Sequence, residues 1–534
     1  MNRQADTLTL EGLSVELADT AQALVRDVAI HLRAGEIFAL VGESGSGKSI
    51  TSLAAMRLLP EALRVGSGRA LLGDTDLFTL PEARMQAVRG RRLAMIFQNP
   101  MSALNPVQTV FRQVAETLRL HTKLRGAALR DRVCSLLEEV GIPDPRQRMG
   151  FYPHQLSGGQ QQRIMIAMAL ACEPDVLIAD EPTTALDVTI QKQVLELIRE
   201  LARSRRLAVL LITHDMGVVK HTADRVGVMY RGRIIEEATV AAFFADPKEA
   251  YSQRLIDALP RQDRFLAPVQ QAPLLAVEDV YVHFPVRGGL LRRVVDHTRA
   301  VDGVSLSLAR GETFALVGES GSGKSTLGRA ILGLEATSGG RIHFDGQRID
   351  TLDRRARQAF RRRIQVIFQN PYSSMNPRMA IGAIIAEGML SLGVDASAAS
   401  RERKVAALLE RVQLPTDCAR RYPHELSGGQ LQRVAIARAL AVAPELIICD
   451  EPTSALDVSI RADVLGLLAE LQREEGVAFL FITHDLSIVP GLAHRVGVMQ
   501  HGKLVEVGAT EQVLTAPAHH YTQELLAAVP RLDD

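Results

Sequence analysis

The sequence predicts an α/β fold that is repeated in two tandem domains. An identical segment, Gly-Glu-Ser-Gly-Ser-Gly-Lys-Ser, occurs at residues 42–49 and again at 318–325. Short apolar runs typical of buried strands, such as 176–179 and 208–212, alternate with amphipathic segments such as 127–140. The chain has 534 residues, which is more than one hydrophobic core usually organises. We therefore expect two units, each with a sheet core and a helical insertion.

The similarity between the two halves extends far beyond that segment. Lys48 precedes its counterpart by 276 positions, Gln98 by 271, and Ser157, Glu181 and His214 each by 270. Solenoid proteins repeat at periods of about 20 to 50 residues. The much longer spacing indicates duplicated globular domains.

The domain boundary is predicted from composition. Residues 261–273 are rich in proline and glutamine and follow neither a helical nor a strand period. We interpret them as a linker between a first domain at 1–260 and a second at 274–534. The change in repeat spacing predicts an insertion near the start of the second domain, at 287–293, which we expect to form a surface hairpin.

Charge and aromatic content argue against a nucleic-acid partner. The 62 basic and 61 acidic side chains leave a formal net charge of +1, so no overall field attracts nucleic acid. The chain has no tryptophan and 4% aromatic residues, which leaves few platforms for stacking bases. We interpret the basic run at 361–363 as a solvated helix face.

The sequence shows neither a membrane span nor a secretory pattern. No apolar run approaches the roughly 18 residues that a span needs, and 164–172 is among the longest. The N-terminal segment carries Arg3, Asp6 and Glu11 and lacks a sustained apolar core. We therefore expect the protein to remain in the cytoplasm.

The cysteines are scattered and form no Cys-x-x-Cys pair. We interpret them as small buried hydrophobes and expect no disulfide framework, zinc site or iron-sulfur cluster. They are Cys134, Cys172, Cys418 and Cys449.

The repeated segment matches the phosphate-binding pattern Gly-x-x-x-x-Gly-Lys-Ser. Each copy follows a buried-strand pattern, at 36–41 and 312–317, and precedes a helical one. In such loops backbone N–H groups surround a phosphate, lysine reaches the β- and γ-oxygens, and the serine hydroxyl coordinates Mg²⁺. A Gly/Ser-rich turn can match by accident, but two identical copies argue against accident. The predicted nucleotide contacts are Gly42, Ser44, Gly45, Gly47, Lys48 and Ser49, and Gly318, Ser320, Gly321, Gly323, Lys324, Ser325 and Thr326.

Each copy next supplies a buried strand that ends in two acids. These are Asp180 and Glu181 in the first copy, and Asp450 and Glu451 in the second. The aspartates suit Mg²⁺ coordination, and the glutamates can polarise an attacking water. An acidic pair after a strand is often a solvated turn. Because the pair follows a phosphate loop in both copies, we instead expect it to bind a metal ion and to take part in catalysis.

A histidine and a glutamine complete the pattern in each copy. His214 and His484 follow the glutamates by thirty-three residues, each within Ile-Thr-His-Asp, and we expect them to hydrogen-bond the γ-phosphate and the attacking water. Gln98 and Gln369 end predicted strands and can complete the shell of Mg²⁺ and water. Either residue type alone is a weak indicator of function.

A further motif, Leu-Ser-Gly-Gly-Gln, opens a long helix at 156–160 and at 426–430. With these motifs the chain resembles the ATP-binding-cassette (ABC) ATPases over nearly its whole length. The resemblance implies two P-loop NTPase domains, each with a RecA-like core, an antiparallel β subdomain and a helical subdomain. It also implies head-to-tail docking, in which the signature helix of one cassette covers the ATP held by the other.

The resemblance assigns two composite sites with ATP and Mg²⁺. One site joins Lys48, Ser49, Gln98, Asp180, Glu181 and His214 to Ser427 and Gly429. The other joins Lys324, Ser325, Gln369, Asp450, Glu451 and His484 to Ser157 and Gly159. Asp187 and Asp457 match the family's loop that communicates between the sites. Because neither half has lost its glutamate, histidine or signature, we expect both sites to hydrolyse ATP.

Further motifs narrow the resemblance. Asn-Pro follows each glutamine, and Tyr-x-Gln-x-Leu-x-x-Ala-x-Pro ends the copies at 251–260 and 521–530. The chain resembles the dipeptide, oligopeptide and nickel importer ATPases, in particular fused versions that serve peptides, glutathione or microcin C. Residues 284–297 resemble the microcin C and peptide type most. The resemblance implies two transmembrane permease subunits, a solute-binding protein, and peripheral attachment to the cytoplasmic face of the bacterial inner membrane.

The chain departs from the family pattern at one base contact. The family stacks an aromatic on adenine, which Phe284 can supply in the second half, whereas Leu17 takes the matching position in the first. No cysteine follows Cys449, so we do not expect the metal cluster found in the tails of some relatives.

Two other functions compete with the importer motor. A tandem cassette acting on ribosomes or DNA typically has a long charged linker or zinc-binding insertions, and this sequence has neither. A regulatory module that binds nucleotide without turnover is disfavoured because Glu181 and Glu451 are both present.

Overall fold

The structure is a computed structural model that describes residues 6–183, 186–260, 264–288, 293–395, 397–454 and 456–529. The chain divides into two compact units, the first ending at Leu259 and the second covering residues 260–529. Residues 261–263 of the predicted linker and residues 289–292 of the predicted insertion lie outside the described residues. Among the described helices, none combines the length and the apolar character needed to cross a membrane.

The elements of the first unit follow the predicted alternation. Its strands are β1 Asp6–Leu17, β2 Ala23–Arg33, β3 Ile37–Val41, β4 Leu63–Leu72, β5 Thr75–Asp76, β6 Leu93–Ile96, β7 Val176–Asp180, β8 Ala208–Ile212, β9 Arg225–Tyr230 and β10 Arg233–Thr239. Its helices are α1 Lys48–Ala55, α2 Glu82–Val88, α3 Pro100–Ala103, α4 Val110–His121, α5 Gly126–Glu139, α6 Pro145–Arg148, α7 Gly158–Leu170, α8 Val188–Ser204, α9 Met216–Thr222, α10 Val240–Ala245 and α11 Ala250–Asp257.

The strands of the second unit follow one another in the same order. Its strands are β11 Pro273–Gly288, β12 Arg293–Ala309, β13 Thr313–Val317, β14 Gly339–Phe344, β15 Gln347–Arg348, β16 Ile364–Ile367, β17 Leu446–Asp450, β18 Ala478–Thr483, β19 Arg495–Gln500 and β20 Lys503–Ala509. Its helices are α12 Lys324–Ile331, α13 Arg354–Arg363, α14 Ile381–Ser391, α15 Ala398–Arg411, α16 Gly428–Leu440, α17 Val458–Glu475, α18 Thr510–Thr515 and α19 His520–Ala528.

Each unit has two sheets. In the first, a six-stranded sheet has the order β10-β9-β3-β8-β7-β6 and is parallel except at β10, while a four-stranded antiparallel sheet has the order β2-β1-β4-β5. The second unit has the matching sheets, β20-β19-β13-β18-β17-β16 and β12-β11-β14-β15. Every residue of β3, β7 and β8 is buried, which explains their continuous apolar sequences.

The remaining layer of each unit is helical. Apolar side chains of α4, α5 and α7 share one buried cluster in the first unit, and those of α14, α15 and α16 do so in the second. The predicted α/β fold, with a mixed sheet, an antiparallel sheet and a helical subdomain in each unit, is confirmed.

The basic run at 361–363 differs in part from its prediction. Arg361 and Arg362 are exposed at the end of α13 as expected. The prediction is wrong for Arg363, whose guanidinium donates to Asp345 at 2.7 Å and also pairs with Glu445. These two carboxylates lie near the starts of strands β15 and β17, so Arg363 ties the two sheets together.

The two mixed sheets differ at the residue that holds the strand before the phosphate loop. Asp224 Oδ2 accepts the N–H of Ile37 at 2.8 Å, whereas at the matching position His494 Nδ1 accepts the N–H of Thr313 at 3.0 Å. Burial lowers the pKa of His494. A protonated Nδ1 cannot accept this bond, so the second unit requires the neutral imidazole.

We expect the second unit to lose stability as the pH falls from about 6.5 through the lower folded-state pKa of His494, because the unfolded chain takes up the proton first. Thermal unfolding at about pH 5 and about pH 8 measures this effect. His494→Asn supplies an amide oxygen that accepts the same bond without titrating, so this variant should show the smaller pH dependence. Identical pH dependence in the two proteins would contradict the prediction.

Candidate nucleotide-binding sites

The phosphate loop of the first unit connects the central strand β3 to helix α1. Its last residue, Gly47, caps α1 with a positive φ of 108°. Gly42 opens the loop with a φ of 150°, and a Cβ there would collide with the carbonyl oxygen of Met229. Only glycine fits this conformation and this close approach. The second unit repeats the arrangement at Gly318, with a φ of 146°.

The loop lysines are buried and hydrogen-bonded to their own loops. Lys48 Nζ donates to the carbonyl oxygens of Gly42 at 2.6 Å and Glu43 at 2.9 Å. Lys324 Nζ makes the matching bonds at 2.7 and 2.8 Å and also reaches Ser322 Oγ at 3.3 Å. Each ammonium is therefore held against the backbone of its own loop. The exposed residues of the two repeated segments are Ser44, Gly45, Ser49, Ser320 and Gly321, and Thr326 is half-buried in the first turn of α12.

The loop serine and the strand aspartate meet in both units. Ser49 Oγ donates to Asp180 Oδ1 at 3.1 Å, and Ser325 Oγ donates to Asp450 Oδ1 at 2.6 Å. Burial raises the pKa of both aspartates, although the serine hydrogen bonds oppose the shift. A bound cation would favour their ionised form. Hydroxyl and carboxylate oxygens are the ligands that Mg²⁺ prefers, so these residues fit a magnesium ion.

The catalytic candidates form a second cluster beside the first. Gln98 Nε2 donates to Glu181 Oε2 at 2.6 Å, and His214 Nδ1 lies 3.2 Å from Glu181 Oε1. In the second unit Gln369 Nε2 donates to the matching oxygen of Glu451 at 2.8 Å. The glutamines thus direct their amide groups at the candidate catalytic carboxylates rather than at the serine and aspartate pair.

In the second unit the glutamate and the histidine shift each other's pKa. Burial acts to raise the pKa of Glu451, but the neighbouring His484 outweighs burial and leaves the pKa below its usual value. Burial acts to lower the pKa of His484, and Glu451 more than compensates, so the pKa of His484 is raised. His484 Nδ1 lies 3.2 Å from Glu451 Oε1. Glu451 is therefore ionised near neutral pH and can accept a proton.

Both glutamates have an unusual backbone conformation. Glu181 has a φ of 47° and Glu451 a φ of 48°, which are left-handed values that cost a non-glycine residue about 1–3 kcal/mol. Their amides donate to the carbonyl oxygens of Ile212 at 2.9 Å and Ile482 at 3.0 Å. The same left-handed conformation therefore occurs at the matching residue of both units.

The signature serines cap the helices that follow them. Ser157 Oγ accepts the N–H of Gln160 at 3.4 Å, and Gln160 Oε1 accepts the N–H of Ser157 at 3.2 Å, which is a capping box. Ser427 and Gln430 form the same capping box at the start of α16. Both serines are exposed, and a hydroxyl that accepts a hydrogen bond can still donate its proton to a ligand.

The second glycine of each signature has a packing role that the sequence did not reveal. Gly159 is buried, and a Cβ there would collide with Ile190 on α8. Gly429 meets Ile460 on α17 in the same way. Glycine is therefore needed to pack the signature helix, in addition to any contact with nucleotide.

The predicted base contacts lie at equivalent places in the antiparallel sheets. Val15 and Val282 are both buried, and two residues beyond them on β1 and β11 lie Leu17 and Phe284. Leu17 is half-buried, and Phe284 is 39% exposed. The two side chains thus occupy matching positions with different aromatic character.

Sequence reasoning missed the aspartates that follow the histidines. Asp215 caps α9 through the amides of residues 217 and 218, and its Oδ2 accepts Gln191 Nε2 from α8 at 3.4 Å. Asp485 Oδ2 instead pairs with Arg461 on α17 at 3.1 Å. Because α8 and α17 begin directly after Asp187 and Asp457, these bonds join the histidine loop to the predicted communication loop. The repeated Ile-Thr-His-Asp was a signal for them.

Known proteins resemble this chain over its whole length. The family model described as ABC transporter matches residues 25–184 and 301–454, and the model described as oligopeptide/dipeptide transporter, C-terminal region, matches 505–534. A peptidoglycan transport ATP-binding protein of Agrobacterium fabrum is 48% identical, with 98% of this chain and 96% of that protein covered.

Two glutathione import ATP-binding proteins are similarly related. The protein from Pectobacterium atrosepticum is 49% identical, covering 95% of this chain and 87% of the relative. The protein from Escherichia coli is 48% identical, covering 98% and 90%. The predicted resemblance is confirmed. The chain belongs to the ABC transporter family and is an ATPase with two ATP-binding cassettes in one polypeptide.

Proposed function

We propose that this ATPase drives an importer of peptides or peptide-like solutes through separate membrane subunits. The relatives named for peptidoglycan transport and glutathione import, and the match to the oligopeptide/dipeptide transporter C-terminal region, support this cargo class. The observation that carries the motor function is the glutamate, glutamine and histidine cluster, which is present with the same contacts in both units.

Following the family resemblance, we propose that each ATP is held by the phosphate loop of one cassette and the signature serine of the other. The proposed sites are those assigned above by the family resemblance. The exposed signature hydroxyls and the positive helix ends behind them suit the γ-phosphate. ATP binding would then draw the cassettes together, and hydrolysis would release them.

The residues of each site have distinct tasks in hydrolysis. Lys48 neutralises charge on the β- and γ-phosphates. Glu181 accepts a proton from the attacking water, and His214 holds this carboxylate and the γ-phosphate in place. Ser49 and Asp180 would hold Mg²⁺, which supplies further neutralisation of phosphate charge when bound.

The proposed partners are two transmembrane permease subunits and a solute-binding protein, with the ATPase attached to the cytoplasmic face of the bacterial inner membrane. Affinity purification of the tagged chain from detergent-solubilised membranes tests this assignment. Recovery of two different transmembrane proteins, and peptide uptake by vesicles containing the complex, are expected. Recovery with ribosomes or DNA alone would support the competing soluble function instead.

We expect the first site to bind ATP more weakly than the second because Leu17 cannot stack on adenine as Phe284 can. Aromatic stacking contributes about 0.5–1.5 kcal/mol, which corresponds to roughly a few-fold to tenfold in affinity. ATP titrations of Lys324→Ala and Lys48→Ala variants report the first and second sites separately. Leu17→Phe should tighten the first site alone, and its failure to do so would show that another side chain supports the base.

A further inference from the structure

The first peptide unit of each phosphate loop is held at both ends. In the first unit the carbonyl oxygen of Gly42 accepts Lys48 Nζ at 2.6 Å, and the N–H of Glu43 donates to Tyr251 Oη at 3.0 Å. These two polar groups belong to one planar peptide and point in opposite directions. Together the two bonds fix the orientation of the peptide, and Tyr251 therefore sets the direction of the carbonyl that holds the lysine.

The second unit repeats the arrangement with different residues. Gly318 accepts Lys324 Nζ at 2.7 Å, and the N–H of Glu319 donates to Tyr521 Oη at 3.2 Å. The tyrosines are 208 and 202 residues away from their loops in the sequence. Local chain geometry cannot bring them there, so the contact depends on the placement of α11 and α19.

The tyrosines are themselves firmly placed. Both are 6% exposed and lie at the starts of α11 and α19. The Glu236 carboxylate on β10 accepts the backbone N–H groups of Lys248 at 2.8 Å and Glu249 at 3.1 Å, directly before α11. Glu506 on β20 accepts the amides of residues 518 and 519 in the same way. Each tyrosine is thus anchored to the sheet edge.

We propose that Tyr251 and Tyr521 are positioning residues for the phosphate-binding lysines of their own units. The inference rests on the proposed nucleotide sites and gives a role to the tyrosine of the repeated Tyr-x-Gln-x-Leu segment. Without the hydroxyl, the amide of the peptide loses its partner, and the carbonyl is free to turn away from the lysine. A hydrogen bond of this kind corresponds to about twofold to tenfold in ATP affinity.

The test removes the hydroxyl oxygen of one tyrosine at a time in the full chain. Tyr251→Phe is made with Lys324→Ala, so that ATP titration reports the first site alone, and Tyr521→Phe is made with Lys48→Ala for the second site. Each Tyr→Phe change should raise the Kd for ATP at its own site by about twofold to tenfold. In otherwise wild-type protein it should raise KM for ATP while kcat changes little, because the catalytic glutamates are untouched.

A matched control is Tyr230→Phe. The ring of Tyr230 packs on Tyr251 with centroids 4.3 Å apart, and the described structure shows no hydrogen bond from its hydroxyl to the loop. This variant should leave ATP affinity unchanged. A second control measures ATP affinity at the site of the opposite unit. Tyr521→Phe should not alter ATP affinity at the first site, and Tyr251→Phe should not alter it at the second. Unfolding midpoints measured without nucleotide separate loss of positioning from loss of fold.

Two outcomes would overturn the inference. One is unchanged ATP affinity at the tyrosine's own site, and the other is an equal loss at both sites together with a lower unfolding midpoint. If the Lys48→Ala and Lys324→Ala changes themselves left ATP binding intact, the proposed nucleotide sites would be wrong, and the inference would fail with them. Because the two halves are tested separately, a folding defect in one variant leaves the other half to decide.

Discussion

Replacing Glu181 and Glu451 together by glutamine is expected to reduce ATP hydrolysis by about 10²- to 10⁴-fold while ATP binding is retained. Glutamine keeps the shape of the side chain but cannot take the proton of the attacking water. The phosphate contacts that we propose for Lys48 and Lys324 lie in a different part of each site and should remain. Steady-state ATPase activity and nucleotide retention after gel filtration measure the two effects.

The expected product of this double variant is a closed, ATP-bound state that accumulates. Glu196→Gln is a suitable control, because it makes the same chemical change on the exposed face of α8. Activity close to that of the wild type in the double variant would show that these glutamates are not the catalytic bases. Each single variant should lose turnover at one site, which tests whether both sites hydrolyse ATP.

Ser427→Arg is expected to abolish hydrolysis at the site that contains Lys48, and Ser157→Arg to abolish it at the site that contains Lys324. A bulky cation at the exposed start of α16 or α7 would obstruct closure over the nucleotide of the other cassette. The measurement is vanadate trapping of labelled nucleotide, followed by proteolysis in residues 261–273 to separate the halves.

The arginine also removes a helix cap, so the effect needs a matched control. Ser427→Ala removes the cap, at a cost of about 1 kcal/mol, without adding bulk or charge. It should weaken activity far less than Ser427→Arg. If Ser427→Arg silenced only the site that contains Lys324, the head-to-tail arrangement would be wrong.

The sequence by itself determined the duplicated α/β fold and identified the residues that we propose for both sites. This was possible because the phosphate loop and the acid pair are short contiguous motifs whose proposed functions follow from residue type and spacing, and because the signature is a short contiguous motif that carries the family resemblance. The matching motifs in each half made accidental agreement improbable. The sequence also aligned Leu17 with Phe284, the residues that we propose to contact adenine in the two halves.

Only the tertiary structure decided how residues far apart in the sequence act on one another. It showed that Gln98 hydrogen-bonds Glu181 and that Gly159 packs against Ile190. It also showed that Tyr251 contacts the phosphate loop, 208 residues away in the sequence. Such contacts depend on strand order, on helix placement and on the left-handed backbone of single residues. A linear pattern does not contain this information, because each contact joins two segments whose distance is set by the packing of the whole unit.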